Sequence, residues 1–93
     1  MSQPNTHALR RLQAEEVERY RAAHPRSQAM AAQAAPHYLF GVPMHWMRDW
    51  PLPTPLVVEQ AQGASLRCVD GHIYADFCLG DTGAMFGHGP AAV

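Results

Sequence analysis

"SLRCVDGHIYADFCLGDTGAMFGHGP", Ser65 to Pro90, decides how this chain is read. Two alternating runs, Leu66–Val69 and Ile73–Phe77, flank Asp70-Gly71. An Asp-Gly pair in that setting predicts an antiparallel hairpin with a two-residue turn, both central residues taking positive φ. Such a turn sets Cys68 opposite Ile73 and Leu66 opposite Ala75. Leu66, Cys68, Ile73, Ala75 and Phe77 then share one face; Arg67, Val69, His72, Tyr74 and Asp76 share the other. In this register Cys68 and His72 point apart, which removes them as paired zinc ligands, and Cys68 and Cys78 also diverge, which argues against a disulfide. Both cysteines read as small buried hydrophobes.

Outward from the hairpin, Leu56–Glu59 reads as a further short strand and Gly63-Ala64 as a turn. On the other side, Gly80, Gly83, Gly87 and Gly89 make a flexible loop, and Pro90 suits the first turn of a helix that Ala91-Ala92-Val93 continues. By spacing the loop is neither a P-loop nor a dinucleotide fingerprint.

Before the sheet the character changes. "HYLFGVPMHWMRDWPLPTP", residues 37–55, holds prolines 43, 51, 53 and 55 among two Trp, one Tyr, one Phe and two Met. The prolines exclude regular helix and central strand, whereas the aromatic groups are costly to leave in water. An extended loop that covers a core and one that lines a pocket both satisfy these constraints. Further upstream, Thr6–Ala23 reads as a peripheral helix capped by Thr6, with a narrow stripe of Leu9, Leu12, Val17 and Tyr20. Arg11 with Glu15 and Glu15 with Arg19 are spaced to pair on its solvent side. His24-Pro25 ends it. Ser27 reads as a second cap before the alanine run Ala29–Ala35, which Pro36 stops.

The expected fold is therefore α+β: N-terminal helices over 1–36, the extended proline and aromatic loop over 37–55, a small antiparallel sheet over 56–79, and a glycine-rich loop with a helix start over 80–93. At 93 residues the chain is one small domain with a marginal core. A net charge of −1 without any basic run excludes nucleic acid as a partner. No apolar stretch has the length of a membrane span and no signal peptide is evident, so the default compartment is the cytoplasm. All seven basic residues are arginines, and the chain has no lysine.

The combination is specific. Asp70, Gly71, Tyr74, Asp76, Gly87 and His88 fall in a pattern that resembles the N-terminal region of class III aminotransferases, which are fold-type I pyridoxal-phosphate enzymes. "GVPMHWMR", residues 41–48, resembles the Gly-Val loop and Ser-x-x-Arg-like element of the glutamate-1-semialdehyde aminomutase branch, with Arg48 matching the arginine and His45 replacing the serine. Asp81-Thr82-Gly83 stands where the aminomutases have Trp-Gly-Pro, which favours an aminotransferase.

The resemblance implies pyridoxal 5'-phosphate as cofactor, amino acid and 2-oxo acid substrates, and a homodimer with active sites at the subunit interface. It implies Arg48 as the ligand of the substrate carboxylate, the alternative being a surface pair with Asp49. Trp46 and Trp50 are implied as an apolar wall near the substrate, or as loop packing. Thr82 as a substrate contact and Gly83 as a cofactor contact stand beside a simpler role in shaping the bend. His88 is expected to bond nearby backbone, and Asp70 and Asp76 to be structural. In this family a lysine far along the chain holds the cofactor aldehyde, and only an amine does that chemistry. The lysine-free chain is therefore expected to be an N-terminal fragment, inactive alone and with no catalytic residue of its own. The other readings are an aminomutase of the same family, an interaction module docking through residues 37–50, and an inert product of a broken reading frame.

Overall fold

The computed structural model describes residues 3–81 and 83–93. They form two compact units, Met1–Pro55 and Leu56–Val93.

In the first unit, helix α1 spans Thr6–Ala23 and α2 spans Pro25–Ala34. The cap of α1 is Asn5, one residue before the expected Thr6: its side-chain oxygen accepts the Ala8 N–H at 3.0 Å. Leu9 and Leu12 are exposed while Val17 and Tyr20 are half-buried, so only the second half of the stripe packs. Arg11 pairs loosely with Glu15 at 3.9 Å, but Arg19 takes Glu16 at 2.8 Å in place of Glu15. His24 closes the helix. Its ring stacks on Tyr20 with centroids 4.2 Å apart, and its Nδ1 lies 2.7 Å from the Tyr20 carbonyl oxygen. The Tyr20 hydroxyl in turn donates to the Thr54 carbonyl at 2.9 Å, tying the end of α1 to the proline segment.

Helix α2 begins at Pro25, not after Ser27. Proline suits the first helical position because its missing N–H has no intrahelical partner there. Ser27 thus falls inside the helix, where it is fully buried, and is not its N-cap residue. After Ala34 the chain tightens into a 3-10 turn, Ala35–His37, followed by two more at Leu39–Gly41 and His45–Asp49. The proline segment thus forms neither strand nor α-helix, and single turn bonds such as Met47 N–H to Met44 O (2.9 Å) gather it locally.

The second unit holds a three-stranded antiparallel sheet in the order β1-β2-β3, with β1 Val58–Gln62, β2 Ser65–Cys68 and β3 Ile73–Ala75. Strand β1 starts two residues later than expected and carries a bulge between Val58 and Gln60. Gly63-Ala64 joins it to β2 as a tight turn.

The β2–β3 hairpin exists where expected, but its register is shifted by one. Ser65 faces Ala75, Leu66 faces Tyr74 and Arg67 faces Ile73. Cys68 N–H donates to His72 O at 3.0 Å and Gly71 N–H to Cys68 O at 2.9 Å. The loop is therefore the three residues Val69-Asp70-Gly71, and of the Asp-Gly pair only Gly71 is left-handed, at φ 87°. That is the three-residue hairpin loop in which an ordinary turn is followed by one left-handed glycine. A one-residue slip turns every side chain of a strand over. Tyr74 consequently joins Leu66 and Cys68 on the buried side, and Ile73 is 73% exposed. Cys68 and His72 meet across the end of the hairpin instead of pointing apart. Cys68 is buried as expected, whereas Cys78 is exposed; both are free thiols. Residues Pro90 to Val93 close a single turn, Val93 N–H to Pro90 O at 3.1 Å, in place of the expected helix start.

Candidate functional site

Arg48 sits on the His45–Asp49 turn and borders a groove of about 390 Å3 in the first unit. The groove walls are largely apolar: Ala31, Ala35, Phe40, Val42, Trp50 and Leu52 contribute. The Arg48 guanidinium lies over the Phe40 ring, 3.9 Å from its centre, a contact worth about 0.5–1 kcal/mol at an exposed site. Its Nε lies 3.7 Å from Asp49 Oδ1. Trp46 is set edge-on to Trp50, with ring centroids 5.6 Å apart, and it is Trp50 that lines the groove. A guanidinium beside an apolar hollow has the chemistry to take a carboxylate whose remaining body is apolar.

The glycine-rich loop belongs to the second unit. It turns through three consecutive left-handed residues, Leu79 (φ 51°), Gly80 (φ 64°) and Asp81 (φ 59°). Such backbone costs about 1–2 kcal/mol at each non-glycine position. Asp76 holds it there: Oδ1 accepts the Cys78 N–H at 3.0 Å and the Leu79 N–H at 2.9 Å. The other oxygen, Oδ2, lies 2.7 Å from His88 Nε2. His88 is itself bridged to Gly63 by two backbone hydrogen bonds of 2.9 Å. Gly87 approaches Gly63 so closely that a Cβ would lie 3.2 Å from the Gly63 Cα. The His88 hydrogen bond, then the amides of Leu79 and Cys78, holds the Asp76 carboxyl below the usual carboxylate range. Burial, and then the neighbouring Cys68 and Asp70, pushes the Tyr74 hydroxyl up.

Asp76 is thus structural, as the sequence suggested, accepting two amides at the strand end, while His88 bonds a carboxylate through its side chain as well as backbone through its main chain. That pair was not visible in the sequence; a His and an Asp twelve residues apart carry no local signal. Gly83 is exposed in this loop, its N–H donating to Gly80 O at 3.0 Å. Thr82 lies outside the described residues. Arg48, Trp46 and Trp50 share one neighbourhood in the first unit, and Gly83 sits in the second. Among the described residues, no group of three or more His, Cys, Asp or Glu side chains is placed to hold a metal ion, and no helix is long and apolar enough to cross a membrane.

Comparison with known proteins gives this geometry its context. Two solved structures of a glutamate-1-semialdehyde aminomutase from Pseudomonas aeruginosa PAO1, one in complex with PMP, match 95% of this chain at 43% identity with a TM-score of 0.87. The chain is similar to the N-terminal segment of class III, fold-type I aminotransferases. A β-phenylalanine aminotransferase from Variovorax paradoxus matches 84% of it at 29% identity and a TM-score of 0.76. A glutamate-1-semialdehyde 2,1-aminomutase of Caldivirga maquilingensis is 46% identical over 37 residues, which is 40% of this chain and 9% of the relative. No family model matches the sequence. The chain spans 19% of the aminomutase structures and 18% of the aminotransferase structure.

Proposed function

We propose that this chain supplies the substrate-facing N-terminal segment of a pyridoxal-phosphate-dependent aminotransferase, which moves an amino group between an amino acid and a 2-oxo acid. The observation that carries the family reading is the match of 95% of the chain, at 43% identity and a TM-score of 0.87, to a glutamate-1-semialdehyde aminomutase solved in complex with PMP. Arg48 binds the substrate carboxylate at the mouth of the apolar groove. Trp50, backed by Trp46, walls the substrate side chain, and the loop around Thr82 and Gly83 approaches the cofactor. The Schiff-base lysine comes from sequence other than these 93 residues, so the segment alone is inactive. The working enzyme is a cytoplasmic homodimer.

A second reading, an aminomutase that shifts an amino group within one molecule, draws support from the activities by which the Pseudomonas and Caldivirga relatives are named. His45 and Asp81-Thr82-Gly83, which depart from the aminomutase pattern, support the aminotransferase. The test is a purified enzyme containing this segment, supplied with pyridoxal phosphate and offered a panel of amino acids with 2-oxo acids. Transfer between two different molecules supports the aminotransferase, isomerisation of a single substrate supports the aminomutase, and neither activity refutes both. The isolated chain with pyridoxal phosphate develops no visible absorbance of a lysine-bound cofactor.

A further inference from the structure

Phe40 occupies a backbone position that a phenylalanine ordinarily avoids. Its φ is 59° and its ψ 15°, inside a turn closed by Gly41 N–H to Tyr38 O at 2.9 Å. This third place of a turn favours glycine or asparagine, because a Cβ clashes with the backbone when φ is positive. The ring gains little burial in return, since Phe40 is 53% exposed. A strained aromatic without a packing reward persists where its surroundings fix it for another purpose. What the ring touches here is Arg48, whose guanidinium carbon lies over it, 3.9 Å from the ring centre, at the edge of the apolar groove.

We propose that Phe40 is the positioning residue of Arg48: its ring is a platform that holds the guanidinium at the groove edge, where its terminal N–H groups meet a carboxylate while Nε stays beside Asp49. The proposal rests on the reading of Arg48 as the carboxylate ligand. A guanidinium on a flexible stem loses rotamer freedom when it binds, and stacking removes part of that loss beforehand. The platform also restricts what fits. A carboxylate that approaches the exposed edge sends its body along Trp50 and Leu52, so the favoured ligand carries a flat apolar group.

The experiment follows the Arg48 Nε–H resonance of the chain while sodium benzoate is added, in the native sequence and in Phe40→Tyr and Phe40→Asn variants. Ring current from Phe40 places that resonance upfield of the other arginines in the native chain and in Phe40→Tyr, and Phe40→Asn returns it to the ordinary position. Because asparagine tolerates the left-handed backbone, Phe40→Asn melts at the native temperature or higher, yet it weakens benzoate binding about two- to fivefold, the usual range for an exposed cation–π contact. A purely structural role for Phe40 gives the reverse, a lower melting temperature with unchanged benzoate affinity, and that result overturns the proposal, as does a native Arg48 resonance at the ordinary position. Benzoate that leaves Arg48 unmoved in every form overturns the carboxylate reading itself.

Discussion

His88 Nε2 lies 2.7 Å from Asp76 Oδ2, and through this one contact the two ends of the glycine-rich loop are joined. The carboxylate's second oxygen meanwhile holds the amides of Cys78 and Leu79. With Gly63 bridged to His88, the sheet, the left-handed turn and the loop's far end meet at a single side chain. Asp76 is therefore ionised in the folded chain at lower pH than in the unfolded one. A depressed folded value contributes stability that is present above the unfolded carboxylate range, about pH 4, and is lost as pH falls through the folded value. Thermal melts are expected to show the native chain losing stability below that range. Asp76→Asn, already weakened at neutral pH, loses less on acidification.

The cap of α1 separates two neighbouring residues. Asn5→Ala removes the acceptor of the Ala8 N–H and is expected to cost about 1 kcal/mol. Thr6→Ala, at a position that caps nothing, is nearly neutral. Chemical denaturation followed by helical circular dichroism distinguishes the pair.

Two glycines test backbone strain at different settings. Gly71 has φ 87°, and a Cβ there would meet nothing within 4 Å, so Gly71→Ala costs only the left-handed conformation, about 1–2 kcal/mol. Gly87 has φ 91° and also meets the Gly63 backbone at 3.2 Å, so Gly87→Ala is the more damaging change. At about 4–8 °C per kcal/mol for a domain of this size, both shifts are measurable by melting temperature.

The two thiols differ in exposure. Cys78 is expected to react with an aromatic disulfide reagent within the mixing time, and Cys68, with 0% of its surface exposed, only as the chain unfolds. Simultaneous reaction of both contradicts the buried side assigned to β2.

How far the sequence reached depends on the range of the interaction. Helix α1 ends where His24-Pro25 said it does, because proline acts on its immediate neighbour. The hairpin lies where Asp70-Gly71 put it, since that pair is a local turn signal. The register did not follow, because the same two residues serve a two-residue or a three-residue loop, and the choice turns β3 over. In the register formed, Tyr74 faces Leu66 and Ile73 is left exposed. Phe40 beneath Arg48 and Asp76 beside His88 were out of reach for a further reason. Each depends on left-handed backbone at residues other than glycine, which local preference argues against. Arg48 and Trp46 were legible as candidates only through the family resemblance.

The most direct measurement is the KM for an amino acid substrate of an enzyme carrying this segment, with Arg48 and with Arg48→Ala. Loss of a hydrogen bond to a charged group corresponds to about a ten- to hundredfold change in affinity. The expected result is a KM raised by about that factor with only a modest fall in melting temperature, since Arg48 is half exposed and makes the loose pair with Asp49 and the stack on Phe40, the latter worth about 0.5–1 kcal/mol. An unchanged KM in a fully active Arg48→Ala enzyme would contradict the assignment of this segment to the substrate carboxylate.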